Sequence, residues 1–255
     1  MRPPIRLLLG LALLLACAAP AAVSAGAFSS WAVVVVAGDD HAHSGGPSDV
    51  FDNARRDLVK ALVAKGFAPA HISQFSVQPE HYPHDDVQRA DSIPIVHRLE
   101  ALAGAAPAGC LVYFTTHGSP EGIIVGGQYW TPNQMAAVVD DACGQRPVVV
   151  IISACFSGVF VPLLATPNRM ILTAARPDRT SFGCGEADHY TYFDGCVLQE
   201  LDAARDFAAL GHGVQDCVAR HEQETHATPP SEPQLAIGAA LRPMLPLYAF
   251  APAPP

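Results

Sequence analysis

Positive charge is scarce in this sequence: 15 Lys and Arg stand against 24 Asp and Glu, a formal net charge of -9 over 255 residues. The acidic residues are spread along the chain, so no cationic surface faces a phosphate backbone, and nucleic acid is excluded as a partner. No internal repeat is visible, which argues against solenoids and propellers. A Gly-x-Ser-x-Gly elbow is also missing, so Ser119 and Ser157 are read as turn residues and not as hydrolase nucleophiles. What the chain has is apolar content, half of its residues, at a length that suits one large α/β domain.

The apolar run near the N-terminus, Leu7 to Ala16, is too short to span a bilayer as a mature helix. The run Leu7 to Ala16 follows Arg2 and Arg6 and precedes small residues through Ala27, the order of an export signal. Residues 1–25 are therefore expected to be a signal cleaved after Ala25, leaving a periplasmic or secreted protein. Leu14-Leu15-Ala16-Cys17 also resembles a bacterial lipoprotein processing site, and membrane contact is expected only if Cys17 carries a lipid. Residues 28–241 are assigned to the folded domain and 242–255 to a proline-rich tail whose last dozen residues are expected to be mobile.

Beyond Cys17 there are six cysteines, too few and too widely spaced for a dense disulfide framework. Export permits pairing, and one or two bridges at most are expected, with the partners open.

Strand and helix patterns alternate. Trp31 to Ala37 is a continuous β-branched run that stops at Gly38-Asp39-Asp40, and Val50, Phe51, Ala54, Leu58, Ala61 and Leu62 then recur at helical spacing. A strand over 71–77 and a helix over 92–103 repeat the unit. Further strands are predicted over 110–116, 147–153 and 170–174, with an edge strand at 234–238. A hairpin is predicted over 123–130 and helices from Thr131 to Gly144, 190–208 and 214–222. The resulting fold is α/β, a mainly parallel six-stranded sheet with helices on both faces and reactive groups beyond the carboxyl ends of the strands.

Two of the most apolar strands end in reactive side chains, one in Thr115-Thr116-His117-Gly118 and the other in Ser153-Ala154-Cys155. If those strands are parallel neighbours, imidazole and thiol meet at one edge. Cys155 then serves as nucleophile and His117 as the group that handles the proton of the leaving amine. The amides of Gly118 and Cys155 form the expected oxyanion hole, because glycine permits close backbone approach.

The segments Val112-Tyr113-Phe114-Thr115-Thr116-His117-Gly118-Ser119 and Ser153-Ala154-Cys155-Phe156-Ser157-Gly158 resemble the histidine and cysteine segments of legumain-type cysteine peptidases. Thr173-Ala174-Ala175 and Thr180-Ser181-Phe182-Gly183-Cys184 resemble the strand and loop that wall the specificity pocket in that family. The likeness runs from about Trp31 to Leu201 and implies a caspase-like fold, a peptide or protein substrate, and no metal or other cofactor. It implies a pocket built from Ser153, Thr180, Ser181, Phe182 and Asp194. Legumains place an Arg-His pair before their first helix to help bind asparagine, and the corresponding stretch, Gly46 to Phe51, has no arginine. Asp194 is shifted by one place from the acidic pocket position, after Thr191-Tyr192-Phe193.

Two other polar clusters, Asp39-Asp40-His41-Ala42-His43 and His81 with His84, Asp85 and Asp86, lack metal-ligand spacing and are read as solvated loops. The first follows a strand end and borders the expected cleft. Cys184 is read as a structural cysteine in preference to a second reactive thiol. Alternative functions for the same sequence are a transpeptidase or transamidase using the same dyad, and a non-catalytic envelope binding protein that keeps the fold.

Overall fold

Strands made of valine, isoleucine and leucine, apolar on both faces, need a cover on each side, and the fold supplies it. In the computed structural model, which describes residues 26–251, the elements run β1 (Trp31–Ala37), α1 (Val50–Ala64), β2 (Ile72–Ser76), β3 (Val87–Arg89), α2 (Ser92–Ala105), β4 (Gly109–Thr115), β5 (Gly118–Ser119), β6 (Gly122–Val125), β7 (Gln128–Trp130), α3 (Pro132–Cys143), β8 (Val148–Ser153), α4 (Val161–Leu164), β9 (Arg169–Thr173), α5 (Tyr192–Ala203), α6 (Phe207–Glu224) and β10 (Gln234–Ile237). The main sheet has the order β10-β9-β8-β4-β1-β2-β3, and β5-β6-β7 form a small second sheet. Every pairing in the main sheet is parallel except β10 with β9.

Alternation along the strands sorts the core into two layers. Val34, Val112, Val150 and Ile171 face α2 and α3, where Leu99, Leu102, Met135 and Val139 cover them. Val33, Val35, Leu111, Tyr113, Val149 and Ile151 face α1, α5 and α6, meeting Leu58, Leu62, Val197, Leu201, Leu210 and Val214. Burying each such aliphatic side chain contributes about 1.5–3 kcal/mol relative to leaving it in water.

The sheet has seven strands and not six. The addition is β3, whose three residues are half-buried or exposed and carry no readable alternation. The helical stretch expected over 190–208 stops at Ala203. Asp206 accepts the Ala209 N–H at 2.8 Å and starts α6 at Phe207, earlier than the expected 214. Gly211 within α6 obscured that start; the Leu235 and Met170 side chains lie where its Cβ would stand. The expected mobile tail is also corrected for the described residues: Leu245 and Phe250 are buried, and the Phe250 ring packs on Phe28 and Phe207. Phe250 and Ala251 donate their backbone N–H groups to Arg205 and Lys65. The expected signal and Cys17 lie outside the described residues.

Two disulfides form, Cys110–Cys143 between β4 and α3 and Cys196–Cys217 between α5 and α6. Each ties one helical layer, on opposite faces of the sheet. Cys155 and Cys184 are the free thiols among the described residues. Chain β1-α1-β2 runs outward on one face, and the path returns through α2 on the other face to β4 beside β1. A crevice opens at such a reversal, beyond the carboxyl ends of β1 and β4.

Replacing Cys196 and Cys217 together by serine opens a link closing 21 residues. Urea unfolding of the pair variant should show a loss of about 3 kcal/mol in stability.

Candidate active site

The register between β4 and β8 decides what meets at the crevice. Thr115 pairs with Ser153, and the Thr116 N–H extends the ladder to the Ser153 carbonyl at 3.0 Å. All four hydroxyl residues around this point, Thr115, Thr116, Ser153 and Thr173, are buried. His117 and Cys155 each lie two residues beyond the Thr115–Ser153 pair, at one edge of the sheet, and both are half-buried. Gly118 closes the gap between the two segments: a Cβ there would stand on the Cys155 carbonyl oxygen and 3.0 Å from the Ala154 Cβ.

His117 is held from two sides. Its Nε2 lies 2.9 Å from the His41 carbonyl, which can only accept, so Nε2 carries the proton and Nδ1 is left for other partners. Phe51, at the start of α1, meets the imidazole edge to face with centroids 5.1 Å apart. The loop that brings His41 here is closed by backbone bonds from Ala42 to Gly46 and from Ser48 to Asp40. Asp39 and Asp40 clasp the His41 imidazole at 2.8 and 3.0 Å, so these three residues form a hydrogen-bonded turn at the rim of the cleft. The Asp39 hydrogen bond, aided by both carboxylate charges, raises the His41 pKa above 6.5.

Cys155 ends its strand on a sharp bend. Phe156 takes φ 58°, a left-handed conformation unusual for a bulky residue, and strain of this kind costs on the order of 1–3 kcal/mol and concentrates at functional sites. Ser157 locks the bend by donating to the Ala154 carbonyl at 2.7 Å and receiving the Ala175 N–H. The Ser181 N–H points at the Cys155 sulfur at 3.2 Å, bringing partial positive charge to it. The Cys155 amide has no acceptor among the described residues.

Beside the sulfur lies a cavity of about 390 Å³. Of the expected pocket residues, Thr180, Ser181 and Phe182 line it. Ser153 and Asp194 do not; both are buried beneath the cleft. Asp194 accepts the hydroxyls of Tyr113 at 2.5 Å, Thr115 at 2.6 Å and Thr191 at 2.9 Å, so its carboxylate joins the end of β4 to the start of α5. Burial raises its pKa above the ordinary value near 3.8, against the pull of those hydroxyls and of Ser153.

The cavity is completed by His43, Cys184 and Asp188, with Gly183 and Gly185. Asp188 and Gly185 carried no signal in the sequence; Gly183 and Cys184 belonged to the loop segment that resembles a pocket wall, and His43 to the cluster flagged at the cleft border. Burial, and then the charge of Cys155, raise the Cys184 pKa, and the residue packs against Ala37, Val50 and Phe51. Two larger cavities, about 500 Å³ between α5 and α6 and about 690 Å³ beside Thr228 to Pro233, contain neither Cys155 nor His117.

The profile of the Peptidase C13 family matches residues 16–206. The chain belongs to that family. It is a family of cysteine peptidases, which fixes the broad activity and a peptide or protein substrate and agrees with the legumain-type segments around His117 and Cys155. Solved structures carry the same architecture. Caspase-1 from Spodoptera frugiperda is 16% identical with a TM-score of 0.59, over 84% of this chain and 88% of that one. A structure of pro-sf-caspase-1 is 15% identical with a TM-score of 0.58, over 81% and 86%. At these identities the likeness establishes a caspase-like fold. No curated protein matches the sequence.

Gly118→Ala should separate the two segments and remove peptidase activity, because the obstructing atom is backbone and cannot rotate away; a variant with wild-type turnover contradicts the close approach. For Asp194, a carboxyl whose folded pKa is raised, stability is fully present below about 3.8 and declines as pH climbs through the raised value. Asp194→Asn cannot ionise, so its unfolding free energy should gain on that of wild type between acid and neutral pH. Denaturant titrations at several pH values measure the difference.

Proposed function

We propose that the protein is a cysteine endopeptidase working through a Cys155–His117 dyad. The observation that carries this reading is the β4–β8 register, which brings both segments to one edge with Gly118 against the Cys155 carbonyl. The Cys155 thiolate attacks the carbonyl carbon of a peptide bond, and the amides of Gly118 and Cys155 receive the oxyanion. Collapse of the tetrahedral adduct breaks the C–N bond, and His117, protonated at Nδ1, gives that proton to the leaving amine. The thioester is then attacked by water, His117 takes the water's proton, and the acid product and free thiol are released. The cavity walled by Thr180, Ser181 and Phe182 receives the side chain on the acyl side of the scissile bond.

The two disulfides and the N-terminal pattern support a proposal that the protein works outside the cytosol, in the periplasm or as a secreted chain. No helix among the described residues is long and apolar enough to cross a membrane.

Assay of the full chain against a proteome-derived peptide mixture tests the reading. Wild type should cleave internal bonds, and Cys155→Ala and His117→Ala should each lower the rate by about 10⁴-fold or more. Cleavage by Cys155→Ala at the wild-type rate would sink the mechanism. Products joined to an added amine, in place of free acids, would identify a transpeptidase.

A further inference from the structure

The partner of His117 is a backbone carbonyl in a loop, and such a group points where its peptide plane is held. Four bonds hold this one. The same peptide unit that offers the His41 carbonyl to His117 offers its other end, the Ala42 N–H, to the Gly46 carbonyl at 2.7 Å. Upstream, one oxygen of Asp39 accepts the Asp40 N–H at 2.8 Å, the His41 N–H at 2.9 Å and the His41 Nδ1–H at 2.8 Å. The Asp39 side chain is 14% exposed while the His41 ring is 58% exposed, so the carboxylate is the enclosed hub and the ring its outer tether.

We propose that Asp39 is a positioning residue for His117, acting through the His41 carbonyl that its carboxylate holds in place. The inference rests on reading His117 as the imidazole of the dyad. Carboxylate acceptors bind N–H groups about twice as strongly as neutral ones, so a single oxygen with three donors fixes the backbone of residues 39 to 41. Without it the peptide plane can turn, and His117 loses the acceptor that sets its tautomer and its angle toward Cys155. A displacement of about 1 Å at a reacting group costs up to about 100-fold in rate.

The test uses the full chain, with peptide turnover and, separately, the rate at which iodoacetamide alkylates Cys155 at neutral pH, read by peptide mass. Asp39→Ala should lower kcat by about 10- to 100-fold with KM unchanged within about twofold, and should slow Cys155 alkylation. Asp39→Asn, which keeps an oxygen for the backbone donors, should recover most of both. Wild-type kcat and alkylation in Asp39→Ala overturn the proposal. So does an equal loss in both variants with raised KM, lowered melting temperature and unchanged alkylation, since that describes a loop needed only for folding. If Asp39→Ala fails to fold, His41→Ala removes one donor from the exposed side and should lower kcat and alkylation by a smaller factor; no change in either overturns the proposal. If wild type cleaves no peptide, the peptidase reading fails, while the alkylation comparison still decides the role of Asp39.

Discussion

The site depends on one parallel pairing. Where β4 and β8 stop together, the next residues leave the ladder side by side, and the sheet acts as the ruler that sets their spacing. A slip of one residue in that pairing would turn the valines and isoleucines of β8 toward the wrong helical layer, so the core that stabilises the fold also fixes the chemistry. Local devices complete it: the left-handed Phe156, the Ser157 lock and the bare Cα of Gly118 convert a common strand end into a close meeting of two segments.

Much of this was readable in the residues. Apolar runs that end abruptly in His117-Gly118 and Ala154-Cys155 announce buried parallel strands delivering polar groups to one edge, and those strands formed within a residue of their expected bounds. Helix ends were less legible. The break between α5 and α6 depends on Asp206 capping a helix that contains two glycines, and local propensity weighs against a helix there. β3 escaped because three residues carry too little pattern to count. The tail misled because proline content suggests mobility, whereas Phe250 finds an aromatic cluster made by residues far along the chain.

The pocket shows the same division. Thr180, Ser181 and Phe182 follow the strand that precedes them and line the cavity beside Cys155, where the resemblance to the legumain-type loop put them. Asp194 does not, because the one-place shift puts it on the inner side of the first turn of α5, where three hydroxyls enclose it. An acid that looks like a recognition group in one dimension is in three dimensions a post beneath the strand that carries His117. The backbone carbonyl of His41 had no signature, since any residue type supplies a carbonyl.

The loop from Gly38 to Ser48 touches both halves of the cleft. While His41 meets His117, the His43 N–H binds the Cys184 carbonyl at 3.0 Å and the Ser44 hydroxyl binds Glu186 at 2.6 Å. One short ribbon of backbone is thus shared by the His117 imidazole and by the segment that walls the cavity beside Cys155. The ribbon is mechanically geared: its upstream half, Asp39 to His41, bears on the imidazole, its downstream half, His43 and Ser44, bears on the opposite wall, and a shift carried along its whole length reaches both.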